Sequence, residues 1–132
     1  MISKTSLLTI KALLFLSRLP PDEALGVRSI AKNIRAPENY LGKVLQRLAK
    51  QGVVVSQKGF KGGFRLAKGQ SGISLYDIVD ALEDVKQWED CFMGNGICSE
   101  SRACCAHKSW DVVRRAYRDF LKNTTIASLS KT

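Results

Sequence analysis

Between Pro37 and Ala67 the apolar pattern changes period, and that change narrows the possible fold more than any other feature of the chain. Tyr40, Leu41, Val44, Leu45 and Leu48 recur at helical spacing, Pro37 stands where a first helical residue belongs, and Gly52 supplies the stop. Val53 to Gln57 is then β-branched, and Phe64 to Ala67 can return antiparallel to it around the tip KGFKGG, Lys58 to Gly63. Upstream, residues 27 to 34 predict a short helix with Ile30, Ala31 and Ile34 facing inward, three residues before the longer one. A short helix, a tight turn, a longer helix and a basic hairpin predict a winged helix-turn-helix.

The exposed side of the longer helix carries Glu38, Asn39, Lys43, Gln46, Arg47 and Lys50. Amide and basic side chains can read base edges in a major groove and hold phosphates. Any solvated helix face can look like this, and a solvated turn can be as basic as the hairpin tip. Their succession in this order is what points to DNA, with Lys58 and Lys61 on a wing in the neighbouring narrow groove. Candidate DNA contacts on these elements are Asn39, Lys43, Arg47, Lys58 and Lys61, with Arg28 on the preceding short helix. Charge agrees: residues 1 to 70 hold 13 Lys/Arg against 3 acids, a net +10, whereas residues 71 to 132 hold 8 against 9, a net −1. So lopsided a distribution suits a polyanion-binding half and a second half with another task.

The remaining segments complete a mainly α chain with a small β-hairpin wing. Ser3 to about Leu19 predicts a core helix with Lys4, Lys11 and Arg18 on its outer side, ended by Pro20-Pro21. Its run LLTIKALLFL is far shorter than the roughly 20 residues a membrane span needs and is interrupted by Lys11, so a soluble, cytoplasmic protein is expected. A further helix should start near Ser74, with Asp77 placed as in a capping box, and end near Val85. A long helix should run from about Ala106 to Leu121, with Trp110, Val113, Tyr117 and Phe120 at 3-4-3 spacing. So much aromatic surface calls for a partner, and packing on its own domain competes with a second copy in a symmetric dimer. Thr124 to Leu129 reads as a short tail turn that can be disordered. The expected division is residues 1–85 as a DNA-binding domain and 86–132 as a cysteine-containing loop with a dimerisation helix.

All four cysteines and the one histidine fall between Cys91 and His107, a window of 17 residues. Thiolates and imidazole are the ligands that iron–sulfur clusters and zinc select. Positions i and i+3 share a helix face, so Cys104 and His107 can converge, which favours the set Cys91, Cys98, Cys104 and His107 over the evenly spaced Cys91, Cys98 and Cys105. A zinc ion would use the same residues, although no close C-x2-4-C knuckle is present. Disulfides need an oxidising compartment that nothing in the sequence indicates. Free thiols complete the alternatives.

Taken together, SIAKNI, NYLGKVLQRLAKQGVV, KGFKGGFRLAK, ISLYDIVDALE and the C-x6-C-x5-C-x2-H loop resemble the Rrf2 family of bacterial transcription regulators. The resemblance implies a homodimer that binds double-stranded DNA at a palindromic promoter site and senses iron–sulfur, redox or nitric-oxide status. It implies an iron–sulfur cluster on Cys91, Cys98 and Cys104, with His107 matching the histidine of members that hold a 2Fe-2S cluster. Nitric-oxide-sensing members resemble a 4Fe-4S type with an aspartate ligand near the N-terminus, where this chain has Ser6. Asn39, Tyr40 and Lys43 match the front of the family's recognition helix, and Lys58 and Lys61 its wing. Lys58 replaces a common arginine and Gly42 a glutamate of cluster-regulator relatives, so their target sequence does not transfer, and Cys105 is an addition. A zinc- or thiol-stabilised regulator without a cluster is the alternative, and an iron–sulfur redox protein a more distant one. No cofactor loop or nucleophile–base pair suggests an enzyme.

Overall fold

The computed structural model describes residues 2–83 and 88–131. Its centre is α1 (Lys4–Ser17), whose Ile10, Ala12, Leu13 and Leu16 are buried while Lys4 and Lys11 face water. Ser3 starts the helix by accepting the Ser6 amide on its hydroxyl at 3.0 Å. It stops two residues before the expected Leu19, because the Arg18 and Leu19 amides tighten into i−3 bonds to Phe15 and Leu16, both 3.2 Å, ahead of Pro20.

Around α1 lie α2 (Val27–Ile34) and α3 (Glu38–Lys50). Arg35, left-handed at φ 56°, turns the chain between them, and the Ala36 amide closes on the Ala31 carbonyl at 2.9 Å. Pro37 proves to be the N-cap rather than the first helical residue, its extended ψ of 126° directing its carbonyl to the Leu41 amide at 3.0 Å. Leu41, Val44, Leu45 and Leu48 form the buried stripe of α3, each apolar side chain contributing about 2 kcal/mol on burial. Asn39, Lys43, Gln46 and Lys50 lie opposite and exposed.

The wing is the antiparallel pair β1 (Val54–Gln57) and β2 (Gly63–Leu66), in register Val54↔Leu66 to Gln57↔Gly63. Its root is tied to the segment before α2 by a two-way backbone bridge, Leu25 amide to Phe64 carbonyl at 3.0 Å and Phe64 amide to Leu25 carbonyl at 2.7 Å. Only glycine fits at position 63, where φ is 137° and a Cβ would stand 2.1 Å from the Leu25 carbonyl oxygen.

Ser74 caps α4 (Leu75–Leu82), its hydroxyl accepting the Asp77 amide at 3.0 Å as the sequence predicted. The helix ends at Leu82 with Glu83 extended; the expected end at Val85 lies outside the described residues. The long helix, α5, runs His107–Asn123. The tail is not a loose turn: α6 (Ile126–Ser130) is capped reciprocally by Thr125 and Ser128, and Ile126 is wholly buried. Backbone bonds from Leu75 to Thr124 at 2.9 Å and from Ile126 to Ile73 at 3.1 Å dock this segment on the start of α4. Leu121 and Ile126 enter the same core as Leu13, Ile30, Leu45 and Val54.

One carboxylate joins the two ends of this arrangement. Glu83 Oε2 accepts the Ser6 hydroxyl at 2.6 Å and the Ser3 amide at 3.0 Å. Burial alone would raise the Glu83 pKa; the hydrogen bonds from Ser3 and Ser6 outweigh it and hold the group below the ordinary carboxylate value. A depressed native pKa stabilises the fold above the unfolded value and loses that stabilisation as pH falls through the native one. Glu83→Gln should therefore be less stable than the parent at pH 7 in urea unfolding, and the difference should shrink below pH 4.5, the group's ordinary value.

Candidate metal centre and nucleic-acid interface

The cysteine loop is a miniature hairpin. Asp90 bridges Ile97, the Cys91 amide donates to the Gly96 carbonyl at 2.7 Å, and the Cys98 amide donates to the Glu89 carbonyl at 2.7 Å. Gly94 and Gly96, at φ 82° and 83°, turn its tip. Cys91 and Cys98 are thereby set on the two arms of one turn. A short 3-10 turn at Glu100–Arg102 then carries the chain to Cys104, and the His107 amide closes on the Cys104 carbonyl at 3.1 Å. The Trp110 indole N–H donates to the Asp90 carbonyl at 3.0 Å, and the Trp110 ring lies 5.5 Å from that of Phe92, fastening the hairpin to α5.

Of the four predicted ligands, Cys98 and His107 are in direct contact. The Cys98 sulfur lies 3.1 Å from His107 Nδ1, while Cys91 is buried on the other arm and Cys104 is half-buried in the turn before α5. Helix spacing in the sequence brings Cys104 and His107 toward one centre; the structure adds Cys98 as the hydrogen-bond partner of the imidazole. His107 is the first residue of α5 and Cys104 lies in the turn before it, so helical i, i+3 geometry does not apply. The Asn95 amide, with those of Met93 and Gly94 and the Cys104 thiol, holds the Cys91 thiol below the ordinary cysteine range against the opposing effect of burial. A loop that aims several amides at one sulfur suits an anionic ligand.

Asp111 is the residue that sequence reasoning overlooked. Ligand atoms of Cys98, His107 and Asp111 all lie within 4.8 Å of one another. The signal was available, since His107 and Asp111 stand at i, i+4 on one helix. Asp111 also binds Arg114 at 2.6 Å and Arg115 at 2.9 Å. The hydrogen bonds from Arg115 and then Arg114 hold its carboxyl below the ordinary aspartate value. Two guanidiniums already neutralise this carboxylate, which makes it a poorer cation ligand than the sulfurs.

The candidate DNA contacts occupy one side of α2 and α3 and the tip of the wing. Asn39 and Lys43 are exposed on α3; Arg28, nearly free in water, pairs with Glu38 at 3.6 Å. Lys58 and Lys61 are exposed on the wing. Tyr40 and Arg47 lie at the border of this face and have partners within the fold. The Tyr40 hydroxyl bonds Thr5, and Arg47 Nη2 donates to the Ala81 carbonyl at 3.1 Å. With Lys43, Leu82 and Glu83 they line a cleft of about 400 Å³ between α3 and the end of α4. Gln46 and Lys50 extend the free face along Asn39 and Lys43.

A family model described as "Rrf2: Iron-dependent Transcriptional regulator" matches residues 2–132. An HTH-type transcriptional regulator of Aquifex aeolicus is 38% identical over 110 residues, which make up 82% of this chain and 76% of that protein. The HTH-type transcriptional regulator NsrR of Shouchella clausii is 30% identical over 122 residues, 92% of this chain and 82% of that one. Some other curated relatives are matched over only about half of their own length. Among solved structures, the oxidized form of Staphylococcus aureus CymR superposes with a TM-score of 0.77 at 27% identity, covering 100% of this chain and 97% of that one. The fold is that of these winged-helix regulators.

The four thiols differ sharply in access. Cys91 is buried, Cys98 and Cys104 are half-buried, and Cys105 is exposed. In reduced, metal-free protein, iodoacetamide followed by mass spectrometry should modify Cys105 first. Cys105→Ser should remove that fast phase and leave the slower three.

Proposed function

The chain belongs to the Rrf2 family of transcriptional regulators, and from that premise we propose that it is a homodimer whose affinity for a palindromic promoter site depends on an iron–sulfur cluster held by Cys91, Cys98, Cys104 and His107. It is a DNA-binding regulator and not an enzyme. The observation that carries the cluster assignment is the Cys98–His107 contact on a loop that also holds Cys91 and Cys104. A two-iron cluster takes four protein ligands, and this one short loop supplies three thiols and an imidazole, with Cys98 already against His107. Four soft or borderline donors on one amide-rich loop fit such a group. Ser6 offers no carboxylate, and its hydroxyl is committed to Glu83, which argues for the histidine scheme over a 4Fe-4S site completed from the N-terminus.

A cluster in this loop would supply one-electron redox chemistry and a group that oxidants or nitric oxide can destroy. The chain's own residues do the rest. The hairpin from Glu89 to Cys98 grips α5 through Trp110, while Arg47 of the recognition helix grips the end of α4 that leads into the same loop. A loop held rigid at its ligands sets α5 against α4 and, through Arg47, the pose of α3. In a dimer this governs the separation of two recognition helices, and operator half-sites have fixed spacing. The dimer surface is the exposed stripe Val112, Val113, Ala116 and Phe120 on α5. No described helix is long and apolar enough to cross a membrane, and a cytoplasmic location suits a DNA-binding role.

A second reading has its own observations. Cys98, His107 and Asp111 can surround a single zinc ion, and the free thiols of the loop can serve a switch, with an oxidized CymR among the similar structures. Anaerobic purification with iron, sulfide and zinc assays separates the two. The cluster reading expects about two irons and two sulfides per chain and a visible spectrum altered by His107→Ala. Zinc, or bare thiols after attempted cluster reconstitution, would overturn it while leaving the DNA-binding half in place. Val113→Glu should convert the dimer to monomer in sedimentation and weaken operator binding roughly 100-fold through lost avidity.

A further inference from the structure

We infer that Phe60 is an apolar wedge, which the wing inserts between base pairs of the minor groove beside the recognition-helix site, so that this regulator reads the deformability of a step it does not hydrogen-bond. The inference rests on the DNA-binding reading and extends it to a side chain with no other role in the fold. Phe60 is 96% exposed. Among the described residues, every other aromatic ring has a neighbour. Phe15 and Phe64 pack in the core, Trp88 and Phe120 lie on Tyr117, and Phe92 lies on Trp110. Tyr40 bonds Thr5, and Tyr76 sits 4.8 Å beneath the Lys122 ammonium.

The backbone around Phe60 is built to project it. The Gly62 amide donates to the Gly59 carbonyl at 2.9 Å, which closes a β-turn with Phe60 and Lys61 as its two corner residues. Lys61 is held left-handed at φ 62°, a conformation usually left to glycine or asparagine, so the second corner keeps a cation where glycine would be easier. A Cβ at Gly62 would lie 2.3 Å from the Gln57 carbonyl oxygen and one at Gly63 2.1 Å from that of Leu25. The base of the tip is therefore stripped of side chains, and the corner offers one ring between Lys58 and Lys61.

Charge identifies the occupant. From Asn39 to Tyr76 the chain carries seven Lys/Arg and no Asp or Glu, so the recognition helix and the wing form one uninterrupted cationic segment. A lone exposed phenylalanine is unremarkable on a mixed surface. On a glycine-framed tip flanked by ammonium groups and continuous with a DNA-reading helix, it has the make-up of a minor-groove wedge, in which phosphate contacts seat the tip and the ring unstacks a flexible step. Pyrimidine–purine steps cost least to open.

The test selects bound duplexes from a random-sequence pool with the full chain, wild type and Phe60→Ala, and measures their bend by energy transfer between end labels. Wild type should enrich a pyrimidine–purine step at a fixed distance outside each half-site and bend the selected duplex. Phe60→Ala should keep the half-site bases, lose the step preference and the bend, and bind roughly tenfold more weakly. Phe60→Leu should restore most of the bend. Lys61→Ala should weaken all sequences alike and lower the salt slope by about one. Thermal unfolding should match between wild type and Phe60→Ala, because the ring is almost wholly in water. An unchanged selected sequence, affinity and bend for Phe60→Ala would overturn the wedge and leave DNA binding intact. If wild type enriched no sequence at all, the DNA-binding reading itself would fall, and the wedge with it.

Discussion

A helix that is apolar on most of its faces has to be surrounded, and the burial of α1 organises everything else in this molecule. Leu13 and Ala12 are fully enclosed, and α2, α3, α4, α6 and β2 all pack on the same short rod. That requirement presses the amphipathic stripe of α3 inward and leaves Asn39, Lys43, Gln46 and Lys50 facing out. It also explains why the tail folds back: Ile126 fills a place in the α1 core that a frayed terminus would leave open to water. The Leu25–Phe64 bridge then fixes the wing to the same body, so the hairpin leaves the core at a set angle and not as a loose flap.

The second half of the chain follows different physics. Between Glu89 and Cys105 there is little apolar material to bury, and Phe92, Met93 and Ile97 remain exposed. Order comes instead from backbone hydrogen bonds across a small hairpin and from amides directed at the Cys91 sulfur. Such a segment owes its shape to its backbone hydrogen bonds and turn glycines rather than to a core. Trp110 fastens the hairpin to α5, and Arg47 of α3 holds the last turn of α4.

Much of this was legible in the residues. Helical spacing located α2 and α3 within a residue or so, and the glycine–lysine tip located the wing, because glycine and β-branched residues impose local backbone preferences that tertiary contacts did not override here. The Ser74 cap was equally readable, since hydroxyl and amide lie three residues apart. The errors fell where local rules lose force. Thr124 to Leu129 looked like a tail because a five-residue helix has little propensity of its own and forms on its capping box and on burial of Ile126. The Cys98 contact of His107 was hidden for a related reason, since the two residues lie nine apart across a turn that no helical period describes.

The sequence by itself determined the succession of helix, turn, helix and hairpin, the confinement of positive charge to the first half, and the gathering of every thiol with the one imidazole in a single short loop. These are properties of near neighbours and of composition. Only the tertiary structure decided which sulfur meets the imidazole, and that Glu83 ties the N-terminus to the end of α4 across about 80 residues. It also decided that Phe60 stands alone in water while the other rings find neighbours. The physical reason is the same in each case: contacts distant in sequence are set by how elements pack around α1, and no period or spacing along the chain encodes the distance between two side chains that packing brings together.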